Sequence, residues 1–201
     1  MIYNLEKIKG TENKNGGYFR NMRIFIAIRL NNDTKSHLKN ITENLSAFFE
    51  RAHFSRIENY HITIRFIGEA DRAEYEKIVS AVKKIAPAFD EFSLTIGGPG
   101  SFKRKNKHIF YCGLENSDKL KKLHDFLNIE LDKAGIVSGS VKFSPHITLA
   151  REVVLSDGYH GIEYEARNIS VGEISVMEST RINGKLTYIP RFTAELGGRN
   201  D

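Results

Sequence analysis

The chain has 201 residues, 40% apolar and 10% aromatic, enough for one large domain or two small lobes sharing a cleft. Its single cysteine excludes an internal disulfide and argues against a thiol-ligated zinc site. No apolar run reaches the length of a membrane span, and the polar first residues lack the apolar core of a signal peptide, so a cytoplasmic location is expected. The net charge of +5 suits a polyanionic partner such as RNA but is weak evidence alone.

Residues 1–21 hold Lys, Asn and Gly without a period and read as a flexible leader. Residues 22–201 then form one bilobal domain, opening with a strand at Met22–Leu30. Asn32 or Asp33 can cap a helix with Leu38, Ile41, Leu45, Phe48 and Phe49 on one face. Tyr60–Ile67 alternates as a strand. Asp71 with Glu74 makes a capping box for a second helix that Pro87 ends. Phe92–Ile96 is a strand, and Gly97-Gly98-Pro99-Gly100 reads as a turn or loop.

The second half repeats this order. His108–Leu114 is a strand in which Cys112 reads as a buried residue rather than a nucleophile. Ser117 caps a helix carrying Leu120, Leu123, Leu127 and Leu131, stopped by Gly135. Pro145–Ala150 is the next strand. Residues 151–167 show no sustained period. Ile169–Met177 and Leu186–Leu196 are late strands turned at Asn183-Gly184, the last at a sheet edge because of Pro190. The repeat predicts an α+β fold with an internal duplication, two small sheets facing each other and helices outside.

His61-Ile62-Thr63 and His146-Ile147-Thr148 carry the functional argument. Composition gives roughly 0.3 such tripeptides by chance, so two in matching strands of matching halves are hard to dismiss. Either one alone would read as a structural histidine. On a strand, His61 and Thr63 share a face about 7 Å apart, while Ile62 and Ile64 turn to the core, and the second motif behaves alike. If the lobes face each other, two imidazoles and two hydroxyls meet in one cleft. One imidazole can act as base while the other acts as acid. The hydroxyls can donate to phosphate oxygens where charge builds, and a strained cyclic phosphate can be opened this way without a metal. Arg65 shares the His61 face by parity and could hold a phosphate oxygen; a solvated strand arginine is about as common. Arg151 is out of phase by one residue and reaches the cleft only if the strand ends or bulges there. His37, His53, His108, His124 and His160 lack such a setting and read as surface or structural.

At these residues the sequence resembles the two-histidine phosphoesterase superfamily, and most of all the RNA 2',3'-cyclic phosphodiesterases, also called 2'-5' RNA ligases. The matching pieces are 22–28, 60–69, 98–102, 144–151, Glu178-Ser179, Gly184 and Tyr188. The resemblance implies a bilobal α+β fold with pseudo-twofold symmetry and facing, mostly antiparallel sheets. It implies hydrolysis of a terminal 2',3'-cyclic phosphate to a 2'-phosphate without metal or other cofactor, with His61 as proton donor and His146 as acceptor. Thr63, Thr148, Arg65 and Arg151 are the candidate phosphate ligands. The ligase name implies reversible 2'-5' joining. The expected partner is RNA with a cyclic phosphate end, tRNA fragments among the candidates, acted on by a monomer. Two rivals stay open: a sister enzyme acting on small cyclic nucleotides or ADP-ribose cyclic phosphate, and a non-catalytic RNA-end binder gripping phosphates with the basic loop 103–107. A metal hydrolase is disfavoured, because the two His-x-Thr pairs lack the carboxylates such sites add.

Overall fold

The computed structural model describes residues 11–12, 18–137, 142–156 and 164–197. A two-residue ladder joins β1 (Thr11–Glu12) to β2 (Tyr18–Phe19). The rest of the expected leader up to residue 17 lies outside the described residues, as does His160. Ordered side-chain contacts start before Met22, because the Arg20 guanidinium donates to Glu178 at 2.9 Å.

Two antiparallel sheets follow. The first has four strands in the order β11-β10-β3-β5, built from Lys185–Glu195, Glu173–Ile182, Met22–Arg29 and His61–Ala70. The second has five in the order β4-β8-β7-β6-β9, built from Phe49–Phe54, His146–Leu155, Lys107–Leu114, Phe92–Arg104 and Arg167–Val171. The β10-β3-β5 triplet matches β6-β7-β8, so the expected duplication is visible as two equivalent sets of strands.

Helices α1 (Asn32–Ser46), α2 (Arg72–Ile85) and α3 (Asp118–Lys133) bury one apolar face each. Helices cross between the halves: α1 lies against β8, and α3 lies against β5 and α2. One continuous core results, with Ile26, Ile62, Leu38 and Val82 packed into the same cluster as Phe110, Ile147, Leu123 and Leu127.

Local signals behave as chemistry dictates. Asp71 accepts from the Glu74 amide at 2.9 Å while the Glu74 carboxylate accepts from the Asp71 amide at 2.9 Å, which completes the capping box. Ser117 caps α3, and Gly135 leaves it with φ of 79°. The Asn183-Gly184 turn has φ of 50° and 76°. Pro190 lies in β11, an edge strand.

Four expectations are corrected. The cap of α1 is Asn31, whose side chain accepts from the Thr34 amide at 2.8 Å, and the helix ends before Phe48 and Phe49. Phe49 instead starts β4, an edge strand. Gly97–Gly100 is not a turn but part of β6, where a bulge separates the Ile96 and Pro99 pairings. The strand expected over 169–177 breaks at Gly172: β9 pairs with β6 in one sheet, and β10 pairs with β3 and β11 in the other.

Candidate active site

Both histidines stand at the first position of their strands, each just beyond a backbone carbonyl that fixes its ring. The His61 Nδ1–H donates to the Asn59 carbonyl at 2.7 Å, and the His146 Nδ1–H donates to the Ser144 carbonyl at 2.7 Å. A carbonyl only accepts, so each neutral ring carries its proton on Nδ1 and its lone pair on Nε2. The His61 Nε2 lies 3.0 Å from the Thr63 hydroxyl, which donates to it in that tautomer.

A cleft of about 950 Å³ has His61, Thr63, His146, Thr148 and Arg151 along its wall. The four groups expected to converge therefore do so. The parity reading of the two arginines changes, for one reason that acts twice. In β5, Ala27 faces Thr63 but Ile26 faces Arg65, so Ile64 is an extra residue. In β8, Tyr111 faces Thr148 but Phe110 faces Ala150, so Leu149 is extra. Each bulge reverses the strand's phase two residues before its outward side chain. Arg151 thereby reaches the cleft, and in the other half Phe66 takes the equivalent place. Arg65 does not line the cleft, which corrects its assignment to the His61 face.

Aromatic rings fill the remaining walls. Phe25 and Tyr188 flank the His61 ring with centroids at 4.9 Å and 5.0 Å. Phe102 and Tyr111 flank His146 at 5.2 Å and 5.3 Å, and stack on each other at 4.3 Å. Gly100 is small for a reason: a Cβ there would come within 2.9 Å of the Tyr111 ring. Glu178, only 1% exposed, is held in this wall by Arg20 at 2.9 Å and by Arg191 Nε at 2.7 Å.

Burial holds the His61 imidazole below its ordinary value, and the charges of Arg151, His146 and Lys35 push the same way; the bond to Asn59 opposes them. Burial also pushes the Cys112 thiol up to about 12, so this core residue is unsuited to act as a nucleophile. Among the described residues, no three His, Cys, Asp or Glu side chains are grouped to hold a metal ion. No described helix is long and apolar enough to cross a membrane. His37, His53, His108 and His124 lie off this wall, bonded or ion-paired to Glu165, Glu152, Ser101 and Asp125.

The phenylalanines, Tyr188, Arg20 and Arg191 were given no role from the sequence. The available signal was the alternation Arg23-x-Phe25 on β3, which sets a cation and a ring on the cleft wall of a strand that otherwise buries isoleucines.

Two duplicated antiparallel lobes, each lending one His-x-Thr strand to a common cleft, define the two-histidine phosphoesterase class. The family model described as the 2'-5' RNA ligase superfamily matches residues 32–176, and the chain belongs to that family. A Thermotoga maritima protein named RNA 2',3'-cyclic phosphodiesterase is 34% identical over 164 residues, which is 79% of this chain and 87% of that one. A Methanothermobacter thermautotrophicus protein of the same name is 25% identical across 83% of this chain and 91% of its own length. The crystal structure of E. coli LigT complexed with 3'-AMP superposes with a TM-score of 0.75 at 21% identity, covering 89% of this chain and all of that one, and supports the same fold.

Proposed function

We propose that this protein hydrolyses the terminal 2',3'-cyclic phosphate of RNA to a 2'-phosphomonoester by paired histidine catalysis. The observation that carries the reading is the matched pinning of both Nδ1 atoms to carbonyls, which leaves two Nε2 atoms as the reactive nitrogens of one cleft. His146 Nε2 takes a proton from water as the water oxygen bonds to phosphorus. The P–O3' bond breaks, and His61 gives its Nε2 proton to the departing O3'. The 2'-oxygen keeps the phosphate. Thr63 and Thr148 donate to the equatorial oxygens, and Arg151 offsets their charge. With the 5'-hydroxyl of another RNA in place of water, the same steps join two strands by a 2'-5' bond. The relatives named RNA 2',3'-cyclic phosphodiesterase support the substrate class. Residues 22–201 act as one domain, to whose cleft wall Arg20 of the preceding segment adds a bond.

The test is turnover of cyclic nucleotides and of oligonucleotides with cyclic phosphate ends, with the product resolved. His61→Ala and His146→Ala should each lose at least about a thousandfold in kcat while keeping their folded spectra, and a chelator should change nothing. Wild-type-like turnover in either variant, or a 3'-phosphate product, removes this mechanism. RNA binding that survives both substitutions in a protein inert toward every cyclic phosphate would favour an RNA-end binder, with Arg104 of the basic β6–β7 hairpin at 103–107 on the cleft rim.

A further inference from the structure

The catalytic cleft does not end at the two histidines. Beyond them a second hollow of about 400 Å³ shares His61, Thr148, Arg151 and Tyr188 with the cleft. It runs between the β4 edge with its following turn and the tip of the β10–β11 hairpin; its own walls add His53, Phe54 and Arg56, while Arg181 lines both hollows. A mononucleotide cyclic phosphate would be accommodated by the 950 Å³ cleft alone, so the proposed reaction on a small substrate leaves this annex without a role.

Its chemistry is that of a single-strand groove: guanidinium groups interleaved with an exposed ring. Phe54 is 48% exposed, unusual for a phenylalanine. Among the described residues, the Arg56 guanidinium meets a carboxylate at Glu58, in a surface ion pair at 3.3 Å that water screens. Arg181 is held toward the hairpin tip by donating to the Gly184 carbonyl at 2.8 Å. The one carboxylate among the described lining residues, Glu152, is already engaged by Lys107 at 3.2 Å and faces His53 Nδ1 at 3.7 Å. The annex is therefore net cationic, and it opens onto both His61 and Arg151 of the cleft.

We propose that this annex binds the RNA strand immediately 5' to the terminal cyclic phosphate, with Arg56 and Arg181 on backbone phosphates and Phe54 under a base, so that the protein prefers polymer ends over mononucleotides. The inference rests on the hydrolase reading and adds the substrate length and the path of the chain. It assigns Phe54 and Arg56, neither of which lines the catalytic cleft, to substrate recognition.

Steady-state kinetics on a mononucleotide 2',3'-cyclic phosphate and on a short oligoribonucleotide with the same end would separate the two claims, together with anisotropy of a labelled oligoribonucleotide carrying a 2'-phosphate end. The expected result is a kcat/KM at least about tenfold higher on the oligomer. Arg56→Ala and Phe54→Ala should lower that advantage several-fold and leave the mononucleotide rate unchanged. In binding, Arg56→Ala should weaken the oligomer and flatten its salt dependence by about 0.7 in log–log slope, the value of one single-strand phosphate contact. Equal efficiency on both substrates, or oligomer binding and salt slope identical in the variants, overturns the groove while leaving the hydrolase reading intact. A protein without turnover that still loses oligomer affinity in Arg56→Ala does the reverse: it removes the hydrolase and keeps the groove.

Discussion

His61 is the residue whose ionisation the fold bends most usefully. Burial, aided by Arg151, His146 and Lys35, favours its neutral form. If it is the donor, kcat/KM, which reports the free enzyme, should fall as pH rises through a value below about 6.5. The corresponding limb of kcat should sit higher, because bound phosphate stabilises the imidazolium. A pH profile with both limbs at the same position argues for the opposite assignment of roles. Arg151→Ala removes one of the charges that depress His61, so its NMR titration should move up relative to the wild type. The same depression acts on stability with a definite sign. As pH drops through about 6.5, the unfolded chain binds the His61 proton first, so stability declines until the lower folded value is passed. Thr63→Val removes the donor 3.0 Å from His61 Nε2 and should cost on the order of a hundredfold in kcat with little change in thermal stability. At this scale the sequence was informative because His-x-Thr is a local pattern with a local geometry. Arg65 misled because its direction depends on Ile26 in a neighbouring strand, which sequence parity does not contain.

Among the elements, the helices were the most legible, since caps and apolar spacing are written within a dozen residues. Asp71 with Glu74 and Ser117 with Leu120 are satisfied as their chemistry requires. The strands were legible where they alternate and obscure where they do not. β4 carries Glu50, Arg51 and His53 on an exposed edge, so nothing in its composition separates it from a loop. Gly97–Gly100 carries the composition of a turn, yet its missing side chains make room for a ring. Gly100→Ala is the test: its Cβ would meet Tyr111 at 2.9 Å and push that ring toward His146. Activity should fall about tenfold or more, since small displacements of a catalytic group are costly. An alanine variant with unchanged kinetics would show that Tyr111 does not support His146.

For the whole molecule, the bilobal outline followed from the repeated order of strand, helix and strand. The way the halves are bound together did not. Helix α1 of the first half rests on β8, and α3 of the second rests on β5 and α2, so the helices tie the lobes together. Ile78→Ala in α2 and Leu131→Ala in α3 both cut into the shared core, and each should lower one common unfolding transition by about 2–5 kcal/mol. Two separable transitions in calorimetry would contradict that coupling. The matched bulges at Ile64 and Leu149 have a consequence for how such a catalyst becomes directional. Duplicated halves that were still identical would offer a bound phosphate two indistinguishable imidazoles. Along the cleft wall, the copies diverge after the motif at the outward seat that each bulge creates, a phenyl group (Phe66) in one half and a guanidinium (Arg151) in the other. A guanidinium on one flank and a phenyl ring, itself covered by Arg23 at 5.0 Å, on the other make the two sides of the cleft chemically unlike, and so give a mirror pair of motifs a left and a right hand.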